Sequence, residues 1–388
     1  MLFLIIFSFA VIYLIFCVPA NGYAFLGRIK LKIKLYGEMF VNILPGPVKN
    51  AILFLYDYLV NKPNPVVQIF YLLLFLTLFL VYYFSGINKY FPHKTISYNL
   101  VYVLYTIIFF SLYSFYLCSI SDPGIIKKKN ISFLKQKYPY DFLFNSEKTE
   151  CKKCGFAKIN RSKHCRICDK CIEKFDHHCI WINNCVGAKN MKYFLYFIFS
   201  HWVLVSYASF LGLLIFYYEI KEKKLFSQVF YDYETKQEIK ATYITVYRYL
   251  LWKNYIFIAS ILMLISTSFF LIFFMYYQFK LIIKNLTSTE ENKQERCIQY
   301  MKSIIEALEQ IAEKKKCKII EVKLSKRDIA KYKDIAFNKT DTDLDTLNEK
   351  QINEFYSFAK ESIFSFKINP YYKNTPLLNI LNKIQTII

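Results

Sequence analysis

An all-α polytopic membrane protein, with four core transmembrane helices, a further N-terminal one and a cytosolic zinc-binding Cys-rich domain, is the fold class this sequence predicts. Three observations predict it. Hydrophobic residues make up 55% of the 388 residues and aromatics 19%. Five apolar stretches approach or exceed the ~20 residues that cross a bilayer. Between the third and fourth of them, the segment from Cys151 to Cys185 gathers seven of the eleven cysteines and three of the five histidines.

The apolar stretches run near Leu2–Ala20, Val66–Ser85, Leu100–Ile120, Tyr193–Tyr218 and Tyr255–Phe279. Tyr and Phe crowd their ends, as in the aromatic belts at membrane interfaces. The first stretch competes with a cleaved signal peptide, because Val18-Pro19-Ala20 loosely resembles a cleavage site. No basic residue precedes it, however, and Arg28, Lys30, Lys32 and Lys34 follow it, which favours a retained span with its N-terminus outside the cytosol. The chain then divides into an anchor (1–20), a cytosolic loop (21–65), two spans (66–120), a cytosolic Cys-rich segment (121–192), two spans with a lumenal loop (193–279) and a cytosolic tail (280–388). Lys and Arg number 6, 16 and 20 in the three cytosolic segments against 2 and 7 in the opposite loops, as the positive-inside rule requires. Free thiols also belong in the cytosol, since an oxidising lumen would pair them.

The net charge of +22 thus reads as cytosolic loops lying against anionic lipid. Nucleic acid is not an expected partner, because no RNA- or DNA-binding module accompanies the charge. In the tail, Cys297, Ile298, Met301, Ile304, Ile305, Leu308 and Ile311 recur at helical spacing and predict a helix that packs on the protein or lies on the membrane. No internal repeat is present, and the spans carry no charge, which argues against a channel or transporter.

In the Cys-rich segment, Cys151-x-x-Cys154 and Cys165-x-x-Cys168-x-x-Cys171 surround His164, with His177, His178, Cys179 and Cys185 following. This is the spacing of tetrahedral zinc, which takes thiolate sulfur and imidazole nitrogen. Two structural zinc ions need about eight ligands, and ten candidates are present. Two groups are left over, and chemistry is to be sought there.

Asp176-His177-His178-Cys179, followed by Trp181, Asn184-Cys185-Val186-Gly187 and Asn190, resembles the core of the DHHC protein S-acyltransferases. Lys158, Arg161, Ser162, His164 and Cys165 fit the same pattern upstream. Asp122-Pro123-Gly124, Thr287-Ser288-Thr289-Glu290 and Asn369-Pro370-Tyr371 resemble the family's outlying motifs, so the likeness covers residues 66–290 and 369–382. Ile159 stands where the family has Pro, and Ser288 replaces its second Thr.

The resemblance implies two interleaved zinc sites, one from Cys151, Cys154, His164 and Cys171 and the other from Cys165, Cys168, His178 and Cys185. His177 and Cys179 then remain free. It further implies that Cys179 is the nucleophile, that His177 takes its proton, and that Asp176 orients the imidazole while held by Ser288. The co-substrate would be an acyl-CoA such as palmitoyl-CoA, and the acceptors would be cysteines of substrate proteins at the cytosolic membrane surface. Lys158, Arg161 and Lys163 would meet the CoA phosphates, and Trp181 the first carbons of the acyl chain. Phe194 and Phe197 are candidates for its cavity wall. An endoplasmic reticulum or Golgi membrane is the expected location. The rival reading is an inactive zinc-finger membrane scaffold, which has no need of Asp176, His177 and Cys179.

Overall fold

A computed structural model of the protein describes residues 42–139, 150–231, 237–324, 332, 336 and 347–367. The expected first span, Leu2–Ala20, and the Asn369-Pro370-Tyr371 motif lie outside the described residues. The described chain is mostly helical and falls into two compact units, one built from residues up to Ile126 together with Lys163–Gln278, the other from Lys127–Ser162 and Phe279 onward.

In the first unit α1 (Gly46–Asn61) leads through Pro63-Asn64-Pro65 into α2 (Val66–Tyr82). A π-turn (Tyr83–Ile87) and a single turn (Asn88–Tyr90) extend α2 before α3 (Asn99–Ile120) returns. Among the described residues, four helical stretches are long and apolar enough to cross a membrane: Val66–Tyr90, Asn99–Ile120, Met191–Ser227 and Tyr243–Ile283. They contain the four expected core spans. Their outer faces carry exposed aromatics such as Phe109, Phe110, Tyr113 and Tyr116, which are stable only against lipid.

The spans hold together by close apolar packing and short polar bridges. Leu104, Leu211, Ile215, Phe257 and Ile261 form the buried centre. Gly86, in the π-turn, lets the Phe257 ring approach so closely that a Cβ there would sit 2.1 Å from a ring carbon. Ser111 and Ser114 of α3 bond the carbonyl and hydroxyl of Ser200, at 3.0 and 2.7 Å, and the Tyr82 hydroxyl donates to the Ala208 carbonyl at 2.7 Å. Such small-residue contacts allow helices to meet without a hydrophobic driving force between them.

The helix Met191–Glu222 carries a buried carboxylate, Glu219, one residue beyond the span read from the sequence. Lys223 and Lys253 donate to one oxygen at 2.6 and 3.4 Å, and Tyr90 and Asn254 to the other at 2.8 and 3.4 Å. Asn254 is also the one non-helical residue inside Tyr243–Ile283 (φ −132°, ψ 34°). The sequence reading starts the last span at Tyr255; the helix instead begins at Tyr243 and breaks at Asn254.

The second unit contains α4 (Ile131–Lys137) and the hairpin β1 (Glu150–Cys151) with β2 (Phe156–Ala157). Its main core lies further along the chain. Strands β3 (Ser162–Cys165), β4 (Lys170–Glu173), β5 (His177–Cys179) and β6 (Asn184–Val186) precede α5 (Met191–Glu222), β7 and β8 (Phe230–Tyr231, Glu238–Ile239), α6 (Tyr243–Ile283), α7 (Ser288–Lys314) and α8 (Glu349–Lys367). Met301, Ile304, Leu308 and Ile311 of α7 are buried with Ile352, Phe355, Phe358 and Ala359 of α8, so the helical periodicity of the tail serves packing. Buried Asn353 and Ser357 on α8 accept the N–H groups of Ile320 and Val322, both at 2.9 Å, and bind the extended chain after α7.

Candidate active site

The hairpin β5–β6 sorts its side chains by the period of two that governs strands. His177 pairs with Val186, His178 with Cys185 and Cys179 with Asn184. His178 and Cys185 therefore project to one face, and His177 and Cys179 to the other.

On the first face, the ligand atoms of Cys165, Cys168, His178 and Cys185 all lie within 4.8 Å of one another. His178 Nδ1 is 3.8, 3.4 and 3.6 Å from the sulfurs of Cys165, Cys168 and Cys185, and the Cys168 and Cys185 sulfurs are 3.4 Å apart. These are edge lengths of a tetrahedron whose centre-to-ligand bonds are about 2.0–2.3 Å, the dimensions of zinc held by sulfur and nitrogen. The crowding also splits the thiols. Hydrogen bonds from Cys168 and Cys185 push the Cys165 thiol down, and the same contacts with Cys165 push the Cys168 and Cys185 thiols up. A divalent cation is what lets three such sulfurs ionise together.

Of the other predicted set, Cys151, Cys154, His164 and Cys171, each unit carries two. His164 and Cys171 belong to the first unit, with His164 Nδ1 3.7 Å from the Cys171 sulfur and Nε2 3.1 Å from Asp169 Oδ1. That carboxylate on the far nitrogen orients the ring as an outer-shell partner does. Cys151 and Cys154 belong to the second unit, on the turn between β1 and β2, where the Gly155 N–H donates to the Cys151 carbonyl at 2.8 Å.

On the other face, Cys179 is buried in an apolar cluster with Phe115, Cys118, Ile182, Val186, Phe194, Ile198 and Met275. His177 Nδ1 donates to Asp176 Oδ2 at 2.8 Å, and the Cys179 sulfur is near enough to favour the protonated ring. The Phe194 ring meets the imidazole edge-on at 5.1 Å. Burial pushes the His177 pKa down, but the Asp176 carboxylate and the Cys179 sulfur outweigh it and lift the ring to about 10. Asp176 is itself buried, its side chain 1% exposed, and its N–H donates to the Val186 carbonyl at 2.9 Å. A thiol, an imidazole and a fixed carboxylate in that order are the groups that a nucleophile–base–orienter set requires.

Residues 144–295, which include all of these groups, match the family model described as DHHC palmitoyltransferase. The chain carries a DHHC domain. Over 202 residues it is 33% identical to mouse palmitoyltransferase ZDHHC4, a match covering 51% of this chain and 58% of the mouse protein. It is 40% identical over 157 residues to palmitoyltransferase swf1 of Schizosaccharomyces pombe (39% of this chain, 42% of that one). It is 46% identical over 112 residues to palmitoyltransferase SWF1 of Yarrowia lipolytica, covering 29% of each. The chain thus spans about half the length of the curated relatives it matches.

Several supports of the DHHC domain carry roles that their spacing alone did not disclose. The Asn184 amide donates to the carbonyls of Cys118, Ser119 and Ser121 at 3.2, 3.2 and 2.8 Å, tying β6 to the end of α3. Asn190, fully buried, accepts from Gly187 N at 2.9 Å and donates to the Cys185 carbonyl at 2.8 Å. Asp122 accepts the N–H groups of Gly124 and Ile125 at 2.9 and 3.0 Å, which turns the chain out of α3. Gly187 packs against this turn: a Cβ there would lie 2.4 Å from the Pro123 carbonyl oxygen. The clue available in the sequence was the recurrence of Asn and Gly beside the ligands, the residues that bond and bend a backbone locally.

Trp181 packs on the Cys179 cluster, edge-on to Tyr71 at 6.5 Å, with Phe197 also against the cluster. Among the basic residues expected to meet phosphate, Lys163 is exposed and lies 5.5 Å from the centre of the Phe175 ring, and Lys158 is half-buried. Arg161 is placed differently. Its side chain is 3% exposed, its fork donates to both oxygens of Glu290 at 2.6 Å, and it reaches the Asn285 carbonyl at 2.7 Å. The burial and this bidentate pair commit Arg161 to the fold of the second unit. Ser288 opens α7 directly after the N-cap Thr287. There Glu290 N donates to Thr287 Oγ1 at 3.3 Å and Thr287 N to Glu290 Oε2 at 2.8 Å, a capping box.

Proposed function

We propose that the chain is a multi-pass membrane protein S-acyltransferase that takes a fatty acyl group, palmitoyl in the first instance, from acyl-CoA onto Cys179. It then passes the group to cysteines of substrate proteins. The observation that carries this reading is the Asp176–His177–Cys179 alignment on the face of the hairpin opposite the metal ligands. The names of the relatives, palmitoyltransferases all three, support the same chemistry.

In the first half-reaction the Cys179 sulfur, its proton already taken up by His177, adds to the thioester carbonyl. The carbon–sulfur bond to CoA then breaks, and the CoA sulfur leaves with that proton. In the second, a substrate thiol repeats the exchange and Cys179 is regenerated. Thioesters are exchanged for thioesters, so the site contributes position and proton transfer rather than driving force. Asp176 holds the imidazole with Nδ1 protonated, leaving Nε2 for the sulfur. Ser288 is assigned to hold Asp176. Cys165, Cys168, His178 and Cys185, and the second predicted set Cys151, Cys154, His164 and Cys171, would hold zinc, which would supply folding energy to a segment with little apolar core and take no part in the exchange.

The apolar cluster around Cys179 suits the acyl chain, with Trp181 at its first carbons and Phe194 and Phe197 further in. At ~0.8 kcal/mol per CH₂, burying a sixteen-carbon chain stabilises the complex by on the order of 10 kcal/mol. Lys158 and Lys163 are the groups assigned to the CoA phosphates. Charge distribution favours residues 121–192 and 280–388 on the cytosolic side of an endoplasmic reticulum or Golgi membrane, with a further span at 1–20.

Purified protein incubated with radiolabelled palmitoyl-CoA is expected to take up a hydroxylamine-sensitive label that Cys179→Ser abolishes. Absence of label in zinc-loaded protein would favour the scaffold reading.

A further inference from the structure

The helix α1, within a stretch the sequence reads as loop, has an apolar surface that the described residues do not cover. Val48, Ile52, Leu55 and Leu59 recur at i, i+4, i+7 and i+11 and line one side. Phe54 is 68% exposed, Leu55 54% and Val48 46%. The opposite side carries Asn50 and Asp57, one heptad apart. A broad apolar face with a narrow polar stripe is the pattern of a helix lying in a membrane interface.

Two observations say what covers it. The first is continuity with the membrane-crossing helix: α1 ends at Asn61 and α2 starts to cross at Val66. Asn64 makes that elbow rigid. It is 7% exposed, its amide donates to the carbonyls of Tyr58 and Lys62 at 2.6 and 2.9 Å, and its carbonyl oxygen accepts Val66 N at 3.1 Å. One side chain thus bonds the last turn of α1 and the first residue of α2, which holds α1 at the level where the crossing begins. The second is that the C-terminal end of α1 is anchored beside the reactive hairpin. Leu59, Lys62 and Asn64 line one small cleft with His178, Ile180 and Asn183.

We infer that α1 is an in-plane membrane helix, its Val48–Ile52–Leu55 face seated at the boundary of headgroups and acyl chains in the leaflet where α2 begins. Its occupant is bilayer phospholipid, and its polar stripe faces water. The helix then fixes the height of the Cys179 hairpin relative to the lipid surface. This inference does not depend on the chemistry assigned to Cys179.

The test uses the full chain reconstituted in phosphatidylcholine vesicles, with the photoreactive residue p-benzoylphenylalanine placed singly at Leu55, Phe54 or Asn50. Phe109, on the outer face of α3, serves as the lipid-facing reference. Irradiation followed by intact-mass measurement is expected to give a one-phospholipid adduct at Leu55 at a yield similar to that at Phe109, with Phe54, at the border of the polar stripe, between Leu55 and Asn50. At Asn50 the yield is expected to fall at least severalfold. Adducts of twice the chain mass at Leu55 would assign the face to a second copy and overturn the inference. So would a crosslink within the chain, or equal lipid labelling at Asn50 and Leu55.

Discussion

Asn184 lies directly across the β5–β6 hairpin from Cys179, and its amide reaches three carbonyls at the end of α3. The strand paired with the one that presents the Cys179 sulfur is thereby tied to α3 through one side chain. Asn184→Ala leaves those carbonyls without their donor at a cost of about 1–3 kcal/mol. We expect a lower thermal midpoint in detergent and slower acyl labelling, with Cys179 still present and reducible.

The reactive residues separate by role. Cys179→Ala is expected to abolish labelling and leave metal content at about two zinc per chain, since its sulfur stands outside both ligand sets. His177→Ala should slow labelling by about 10²–10⁴, and Asp176→Asn should follow it, because the imidazole loses its fixed partner. Metal content by elemental analysis and single-turnover labelling check both; loss of zinc in Cys179→Ala would make that sulfur a ligand.

Metal removal tests the other face. Cys168→Ala breaks one tetrahedron, and we expect one equivalent of zinc to be lost together with protease resistance around residues 160–190. A strong chelator should have the same effect on the parent protein and should erase acyl labelling. Retention of both equivalents in Cys168→Ala would refute the assignment of that sulfur.

Arg161 and Lys163 give opposed expectations. Arg161→Ala strands Glu290, whose side chain is 12% exposed, and we expect destabilisation of about 3–5 kcal/mol, seen as early unfolding. Arg161→Lys should recover only part of it, because an ammonium cannot form the bidentate pair. Lys163→Ala should leave unfolding unchanged and raise KM for acyl-CoA severalfold.

The turn at Asp122 carries a pH dependence. Burial raises its carboxyl pKa, but the N–H groups of Ile125 and Gly124 and the Lys189 ammonium at 3.0 Å outweigh it and hold the group below its ordinary value. Stabilisation from a lowered carboxyl is complete above the unfolded value near ~3.9 and is lost as pH falls through the folded one. The difference in thermal midpoint between the parent and Asp122→Asn is therefore expected to be constant at neutral pH and to shrink only below about pH 4.

Much of this was legible in the residues themselves. Span positions followed from apolar length, because a bilayer imposes one requirement on every helix that crosses it. The ten candidate ligands followed from Cys-x-x-Cys steps, which only a few chemistries use, and their division into two sets from the family resemblance. What escaped the sequence depended on partners distant along the chain. Arg161 reads as a phosphate contact until Glu290, 129 residues away, occupies its fork. Thr287 and Glu290 read as a motif, and the structure shows them capping a helix. The helix α1 was hidden because its sixteen residues are too few to cross a bilayer and its elbow contains two prolines. Glu219 lies one residue past an apolar run, a position that does not mark a carboxylate enclosed between helices.

The alternation along β5 has a wider consequence. His178, one of the four residues able to hold a metal ion, sits between His177 and Cys179 on a strand of three residues, so the His177–Cys179 pair has no backbone of its own. If the proposed chemistry holds, any agent that ejects the ion, whether an electrophile that modifies a neighbouring sulfur or a shortage of the metal during synthesis, would silence acyl transfer without touching Cys179. Under the proposed chemistry, output at the membrane would track the metal supply of the cell.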